Sequence, residues 1–166
     1  VIGTINVLKA SQEIKGLKAQ LIITTDKVYK NDDSGKVFKE NDELWGHDPY
    51  SLSKTGTEIT VAAWRNLPSL KSCKFVTVRA GNVFGPGDRA DNRLFPDLIS
   101  GIREKKEVVI RNPNSIRPWQ YVLDPIIGYV LVGKQILLNH DVSDSYNFGP
   151  KDDSFFTVAD LIALVS

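Results

Sequence analysis

The spacing of apolar residues along the chain predicts an alternation of helices and short strands. Apolar residues at helical spacing predict an amphipathic helix over residues 1–15, which Gly16 ends. The β-branched run of residues 20–25 predicts a buried strand, and the polar stretch of residues 30–47, rich in Asn, Asp and Gly, predicts a loop.

A second helix and strand follow this loop. Asp48 suits an N-cap and Pro49 the first helical position, so we predict a helix that runs to about Asn66 and ends before Pro68. The next strand is predicted at Lys74–Ala80.

The alternation continues to the end of the chain. We predict, in order, a glycine-rich loop over 81–92, a helix over 92–104, a strand over 107–111, a loop entering a short strand over 112–122, a helix over 124–139, a brief strand at 146–150 and a last helix capped by Thr157. Strands that alternate with helices of this length are typical of βαβ units in an α/β protein with a parallel sheet.

Composition excludes several classes of protein. The 166 residues suit one domain, and 42% hydrophobic and 25% charged residues are ordinary globular values. The net charge of +1 gives no reason for binding nucleic acid or an anionic membrane, and no apolar run is long enough to span a bilayer, so we expect a cytoplasmic protein. A single cysteine, Cys73, and two distant histidines, His47 and His140, argue against disulfides and a metal site.

The two ends of the chain predict a fragment. The sequence contains no methionine, opens inside a predicted helix and closes in a helix that looks cut short. The alternative is a mature chain from which the initiator has been removed.

Two short segments carry candidate chemistry in the first half. Tyr50 and Lys54 stand four residues apart on one helix face, and an ammonium beside a phenol favours the phenolate, which can accept a proton from a hydroxyl. Thr25, Asp26 and Lys27 follow a buried strand, where ligands bind in open α/β sheets. The alternatives are an exposed Tyr and Lys, and a strand-end turn with a surface ion pair.

Two further segments carry candidate binding groups. Glycines in residues 79–88 allow the backbone to approach a ligand, although the spacing is not a dinucleotide fingerprint. Arg111 and Arg117 flank a rigid turn and, with Arg89 and Arg93, suit a diphosphate and a nucleobase. The alternatives are a flexible connection and solvated surface arginines.

In this order, the segments TTDKVY, DPYSLSK, RAGNVFGPGD and VVIRNPNSIRPWQYVLDP resemble the extended short-chain dehydrogenase/reductase superfamily of NAD-dependent epimerases and dehydratases. The last segment is most similar to the branch that dehydrates CDP-glucose. Lys27 also departs from the branch acting on dTDP-glucose, which usually carries Glu there. The resemblance implies a partial Rossmann-type sheet over roughly residues 1–90 and a smaller substrate-binding lobe over most of 91–166. It also implies that the chain lacks the N-terminal half, with its strand and glycine-rich turn.

The resemblance also implies roles for single residues. Tyr50 would take the proton from the sugar 4-hydroxyl, Lys54 would favour its phenolate and bind the nicotinamide ribose of NAD, and Thr25 would bond the 4-oxygen. Asp26 would act as acid on the leaving 6-hydroxyl and Lys27 as base at carbon 5. The remaining implied contacts are Ala80 and Gly81 with the cofactor, Asn82 with substrate, Arg93 and Arg117 with phosphates, Arg111 with the nucleobase and, more weakly, Asn147.

Two other functions stay open: a nucleotide-sugar epimerase, which also needs Tyr50 and Lys54, and a noncatalytic binding module. The resemblance further implies a homo-oligomer, a dimer or tetramer, in which the helices at residues 1–15 and 49–66 face a second subunit. The second of these helices contains an apolar stretch that suits such an interface. The alternative is that this stretch is buried within the subunit. It comprises Ile59, Val61, Ala62, Ala63 and Trp64.

Overall fold

A computed structural model describes residues 1–70, 72–90, 92–151 and 155–165. The helices are α1 (Ile2–Ser11), α2 (Pro49–Arg65), α3 (Leu94–Glu104), α4 (Leu123–Leu137) and α5 (Val158–Val165). The strands are β1 (Ala19–Ile23), β2 (Lys74–Ala80), β3 (Asn82–Phe84), β4 (Ile116–Arg117), β5 (Trp119–Tyr121), β6 (Ser145–Phe148) and β7 (Phe156–Thr157). Short 3₁₀ turns lie at Asp26–Val28 and Pro68–Leu70.

The chain divides into two compact units. The first comprises residues 1–81 and 126–148, and the second comprises residues 82–125 and 149–166. The first unit contains a parallel sheet in the order β1-β2-β6, flanked by helices. The predicted α/β architecture with a parallel sheet is therefore confirmed.

β2 is the central strand, and its alternating side chains build a core on each face of the sheet. Phe75 packs with Leu8 of α1 and Val61 of α2. Val76 and Val78, which point to the opposite face, pack against α4. Thr77 and Arg79 share the face of Phe75, so this alternation directs Arg79 towards α2.

A glycine allows close packing of α4 against the sheet. In α4, a Cβ built on Gly128 would lie 2.1 Å from the ring of Phe148, the last residue of β6, whereas one on Gly133 would meet its nearest neighbour, Leu21, at 3.9 Å. The Phe148 ring thus occupies the space that a side chain at Gly128 would need.

The second unit combines two small strand pairs with α3 and α5. β3 pairs with β5 in parallel, and β4 pairs with β7 in antiparallel orientation. Phe84 of β3 stacks on Phe95 of α3 with ring centroids 4.4 Å apart, and Trp119 of β5 meets the Phe95 ring edge-on. These aromatic contacts link the β3–β5 pair to α3.

Several sequence predictions are confirmed with small changes in their bounds. α2 starts after Asp48 as predicted, and strand Lys74–Ala80 is confirmed. Thr157 caps α5, since its hydroxyl accepts a hydrogen bond from the Asp160 amide at 3.1 Å. The first helix ends at Ser11 rather than at residue 15, and the predicted loop over residues 81–92 contains strand β3.

The predicted strand at residues 107–111 is wrong. α3 ends at Glu104. The left-handed backbone of Lys105 (φ 52°) then turns the chain, and the Lys106 amide donates to the Gly101 carbonyl at 2.9 Å. The Val108 side chain then lies against Gly101, while Val109 is 87% exposed. Val108 thus packs back against α3, and residues 107–111 lie outside the described strands.

The apolar stretch of α2 is divided between the core and the surface. Val61 is fully buried in the core, so for this residue the interpretation as an intersubunit contact is wrong. Ile59 is 62% exposed, and Trp64 is half-buried against the same core. No helix in the described part of the chain is long and apolar enough to cross a membrane.

Candidate active site

The first group of candidate residues lies at the carboxyl end of β1. Thr25 caps the 3₁₀ turn Asp26–Val28: its hydroxyl accepts from the Lys27 amide at 3.3 Å and donates to Asp26 Oδ1 at 3.1 Å. The turn therefore fixes the backbone from which Asp26 and Lys27 project, and these side chains follow the strand end as predicted.

The second group lies at the start of α2. Asp48 Oδ1 accepts from the amides of Tyr50 at 2.8 Å and Ser51 at 3.0 Å, which satisfies two donors of the helix N-terminus. A Cβ built on Gly46 would lie 2.2 Å from the Leu52 nitrogen and 2.6 Å from the Ser51 carbonyl carbon. Only a residue without a side chain fits there, so Gly46 sets how the chain enters the helix that carries Tyr50.

The structure brings these two groups together around the Tyr50 ring. Lys54 Nζ lies 5.9 Å from the ring centroid and Lys27 Nζ lies 6.0 Å from it. The Thr55 hydroxyl also donates to the Val28 carbonyl at 3.3 Å, which joins the second turn of α2 to the 3₁₀ turn. A phenol, two lysine amino groups and the segment carrying Asp26 therefore share one site, and Tyr50 is 51% exposed there.

A buried polar network lies beneath this site, and sequence reasoning missed it as a unit. Arg79 donates to both carboxylate oxygens of Glu58, at 2.8 Å and 2.9 Å, and both side chains are 4% exposed. The Thr24 hydroxyl also donates to Glu58. Arg79 donates in addition to the Tyr29 hydroxyl at 2.7 Å and to the Glu40 carbonyl at 2.9 Å.

Asn147 belongs to this network. Its side-chain oxygen accepts from the Tyr29 hydroxyl at 2.6 Å, and its amide nitrogen donates to the Phe38 carbonyl at 3.1 Å. Its backbone amide donates to Glu40 Oε1 at 2.8 Å. These bonds hold the 30–47 loop against β6, so they give Asn147 a supporting position. The signal for the network was available in the lone Arg of β2 and in Glu58, which stands four residues beyond Lys54.

The electrostatics of the network favour a charged pair. Burial raises the pKa of Glu58, but hydrogen bonds from Arg79 and Thr24 outweigh it and hold that pKa below its usual range. Burial lowers the pKa of Arg79, and its bonds to Glu58 more than offset this, so the net shift is upward. Burial also raises the pKa of Tyr29. Glu58 is therefore a carboxylate at neutral pH.

The remaining candidates of the first unit are small. Ala80 is the last residue of β2, is 8% exposed and is followed by Gly81. Because β1 and β2 are parallel neighbours, their carboxyl ends lie at the same edge of the sheet.

The second unit holds the other predicted binding residues. Arg93 precedes α3 and donates to Asp88 at 3.0 Å, while Arg111 donates to Asn92 at 3.2 Å. Each arginine is thus bonded to a side chain of the loop before α3. Residues 111–115 line a cavity of about 300 Å³. Asn82 begins β3, and Arg117 lies exposed on β4.

Within the described ranges, no cluster of three or more His, Cys, Asp or Glu residues lies close enough to hold a metal ion.

Comparisons with known proteins place the chain in a family. The model of the NAD dependent epimerase/dehydratase family matches residues 1–149. The chain is 39% identical over 165 residues to CDP-glucose 4,6-dehydratase of Salmonella typhimurium, covering 95% of this chain and 46% of that enzyme. It is 26% identical over 155 residues to dTDP-glucose 4,6-dehydratase of the same organism, covering 84% of this chain and 41% of that enzyme.

Solved structures share the fold. A dTDP-glucose 4,6-dehydratase of Bacillus anthracis in complex with NAD superposes with a TM-score of 0.80 at 23% identity, covering 99% of this chain and 50% of that one. A UDP-glucuronic acid 4-epimerase of Bacillus cereus, in complex with UDP-glucuronic acid and NAD, gives a TM-score of 0.82 at 24% identity, covering 99% of this chain and 49% of that one. The chain thus spans about half the length of these relatives.

Proposed function

Because the chain belongs to the NAD dependent epimerase/dehydratase family, we propose that it is part of a lyase that converts CDP-glucose to CDP-4-keto-6-deoxyglucose and water. The observation that carries the proposal is the juxtaposition of Tyr50, Lys54 and Lys27 beside Asp26. The first two groups suit oxidation of a sugar hydroxyl. The segment Asp26–Lys27 adds the acid and base that removal of water needs.

The residues present fit the cofactor of this family. Two small residues, Ala80 and Gly81, lie at the edge of the sheet where α/β proteins bind ligands, and neither carries a long side chain that could obstruct a flat ring. The Lys54 ammonium would supply donors, and the Tyr50 oxygen an acceptor, for the ribose hydroxyls. When bound, NAD would accept hydride from carbon 4 of the sugar and return it to carbon 6.

The residues of the chain would act in sequence on the sugar. The Tyr50 oxygen would accept the proton of the 4-hydroxyl, with Lys54 Nζ 5.9 Å from the centre of its ring. Thr25, whose hydroxyl donates to Asp26 in the structure, would donate instead to the sugar 4-oxygen. The resulting 4-ketone acidifies the hydrogen on carbon 5.

Loss of water follows across carbons 5 and 6. Lys27 would remove the proton from carbon 5, and Asp26 would protonate the 6-hydroxyl as it leaves as water. After hydride reaches carbon 6, Lys27 returns a proton to carbon 5. In the second unit, Asn82, Arg93 and Arg117 would hold the sugar diphosphate and Arg111 the cytosine, because guanidinium groups suit both phosphate and planar bases.

The test uses the protein as its gene encodes it, incubated with NAD and with CDP-, dTDP- or UDP-glucose in parallel. We expect a 4-keto product from CDP-glucose, detected by its absorbance in alkali and by the proton NMR signal of the new 6-methyl group. Product from dTDP-glucose alone would reverse the nucleotide assignment, and no product from any of the three would reject the dehydratase.

Variants separate dehydration from epimerisation. Lys27→Gln should lose at least about a hundredfold in kcat, the usual range for a general base. Lys30→Gln is the matched control, because Lys30 forms an exposed ion pair with Glu43. Asp26→Asn should abolish the release of water. If this variant instead interconverts the 4-epimers of a nucleotide sugar with full activity, the epimerase is favoured.

A further inference from the structure

Glu58 lies on the same helix face as the two predicted catalytic residues of α2. Tyr50, Lys54 and Glu58 follow each other at intervals of four residues, about 6 Å apart along the helix axis. The Glu58 side chain is 4% exposed, so it lies in the interior beneath the site rather than in it.

Glu58 is bonded to the residue that precedes the catalytic turn. The Thr24 hydroxyl donates to Glu58 Oε1, and the Thr24 amide donates to the Val78 carbonyl at 2.9 Å. The end of β1 is thus tied to α2 through its side chain and to β2 through its backbone.

The residue that follows the turn is tied to the same ion pair. Tyr29 accepts from Arg79 at 2.7 Å, and Arg79 is held by Glu58 in a two-pronged ion pair. Both ends of the segment Thr25–Val28 are therefore attached to one buried carboxylate–guanidinium pair. A pair bonded at every prong is rigid, because any displacement would leave a buried charge without its partner.

We propose that Glu58 is a positioning residue: through Thr24 on one side and Arg79–Tyr29 on the other, it holds the Thr25–Asp26–Lys27 segment in register with Tyr50 and Lys54. This inference rests on the proposed function, since it assigns the pair the task of keeping acid, base and phenol at reacting distance. It adds a residue that touches neither substrate nor cofactor.

The test varies Thr24, which leaves the buried ion pair intact. Thr24→Val removes the hydroxyl at nearly constant volume, and Thr24→Ser restores it. Thr57→Val is the matched control, because Thr57 is 5% exposed against 6% for Thr24 and its hydroxyl donates within α2, to the Ser53 carbonyl. Each variant is made in the protein as its gene encodes it.

Two readouts separate positioning from general stability. We expect Thr24→Val to lower kcat with CDP-glucose about tenfold, since displacement of a reacting group by ~1 Å can cost about a hundredfold. KM should stay within about twofold, because the lost effect belongs to the reacting geometry rather than to ground-state binding. Thr24→Ser should restore kcat, and Thr57→Val should keep it.

Hydrogen exchange supplies the readout that needs no substrate. The Lys27 amide, which donates to Thr25, should exchange about tenfold faster in Thr24→Val, with β2 amides unchanged. Unchanged exchange at Lys27, or equal losses in Thr24→Val and Thr57→Val, would overturn the proposal. If the unaltered protein fails to dehydrate CDP-glucose, the proposed function falls while the exchange result still decides whether Glu58 holds the segment.

Discussion

Replacing Gly46 by alanine tests whether the entry into α2 sets the position of Tyr50. The added Cβ would lie 2.2 Å from the Leu52 nitrogen and 2.3 Å from its Cα, whereas real Cβ contacts essentially never fall under 3.0 Å. Because both neighbouring atoms belong to the backbone, no side-chain rotation relieves the clash, and the first turn of α2 or the preceding loop must move by about 1 Å.

The magnitude follows from this displacement. Overpacking of this kind costs about 1–3 kcal/mol of unfolding free energy. A shift of ~1 Å at Tyr50 would lower kcat by up to about a hundredfold. The measurements are the midpoint of urea unfolding and kcat with CDP-glucose, both on the protein as its gene encodes it.

Gly3→Ala is the control for Gly46→Ala. Gly3 lies in α1, and a Cβ there would have nothing within 4 Å. This variant should be neutral or more stable by about 0.5–1 kcal/mol, because alanine favours helix. If Gly46→Ala unfolds at the same urea concentration as the unaltered protein and keeps its kcat, the reasoning about this close approach is refuted.

Three further predictions concern the cap, the ion pair and the sheet packing. A hydrogen bond from the Ser51 hydroxyl lowers the pKa of Asp48, so the stabilisation by this cap is fully present above the unfolded-state pKa and is lost as pH falls through the folded-state pKa. The urea midpoints of Asp48→Ala and the unaltered protein should therefore differ at neutral pH and converge in acid. A difference that stays constant with pH would contradict this. Glu58→Gln should lose about 3–5 kcal/mol by urea unfolding, because it leaves a buried guanidinium without its counter-charge, and a loss under ~1 kcal/mol would contradict this. Gly128→Ala should lose about 1–3 kcal/mol against the adjacent β6 ring, whereas Gly133→Ala on the same helix should lose nothing, and equal thermal stability of the two would refute the packing argument.

Local patterns predicted much of the first unit. Asp48 and Pro49 gave the start of α2 because capping depends on residues adjacent in sequence, and the β-branched run of β2 gave its bounds for a similar reason. The proximity of Tyr50 and Lys54 followed from helix geometry alone.

Features that depend on tertiary contacts were harder to predict. The apolar residues Val108 and Val109 suited a strand, yet whether such a run pairs in a sheet depends on a free neighbour, and here the turn after α3 folds it back. The partners of Glu58 lie 21 and 34 residues away in sequence, and only the parallel pairing of β1 with β2 brings them together. The approach of Lys27 to Tyr50 is of the same kind.

The division of the Glu58–Arg79 pair between α2 and β2 limits how the protein can be recombined. A chimera that takes α2 from a relative without an acid at the position of Glu58 would leave Arg79 buried without its counter-charge. This would hold even if the new helix kept both predicted catalytic residues. Transplanting helix and strand as one block would keep the pair whole. For anyone grafting a new specificity onto this scaffold, the smallest exchangeable cassette is therefore the helix together with its central strand.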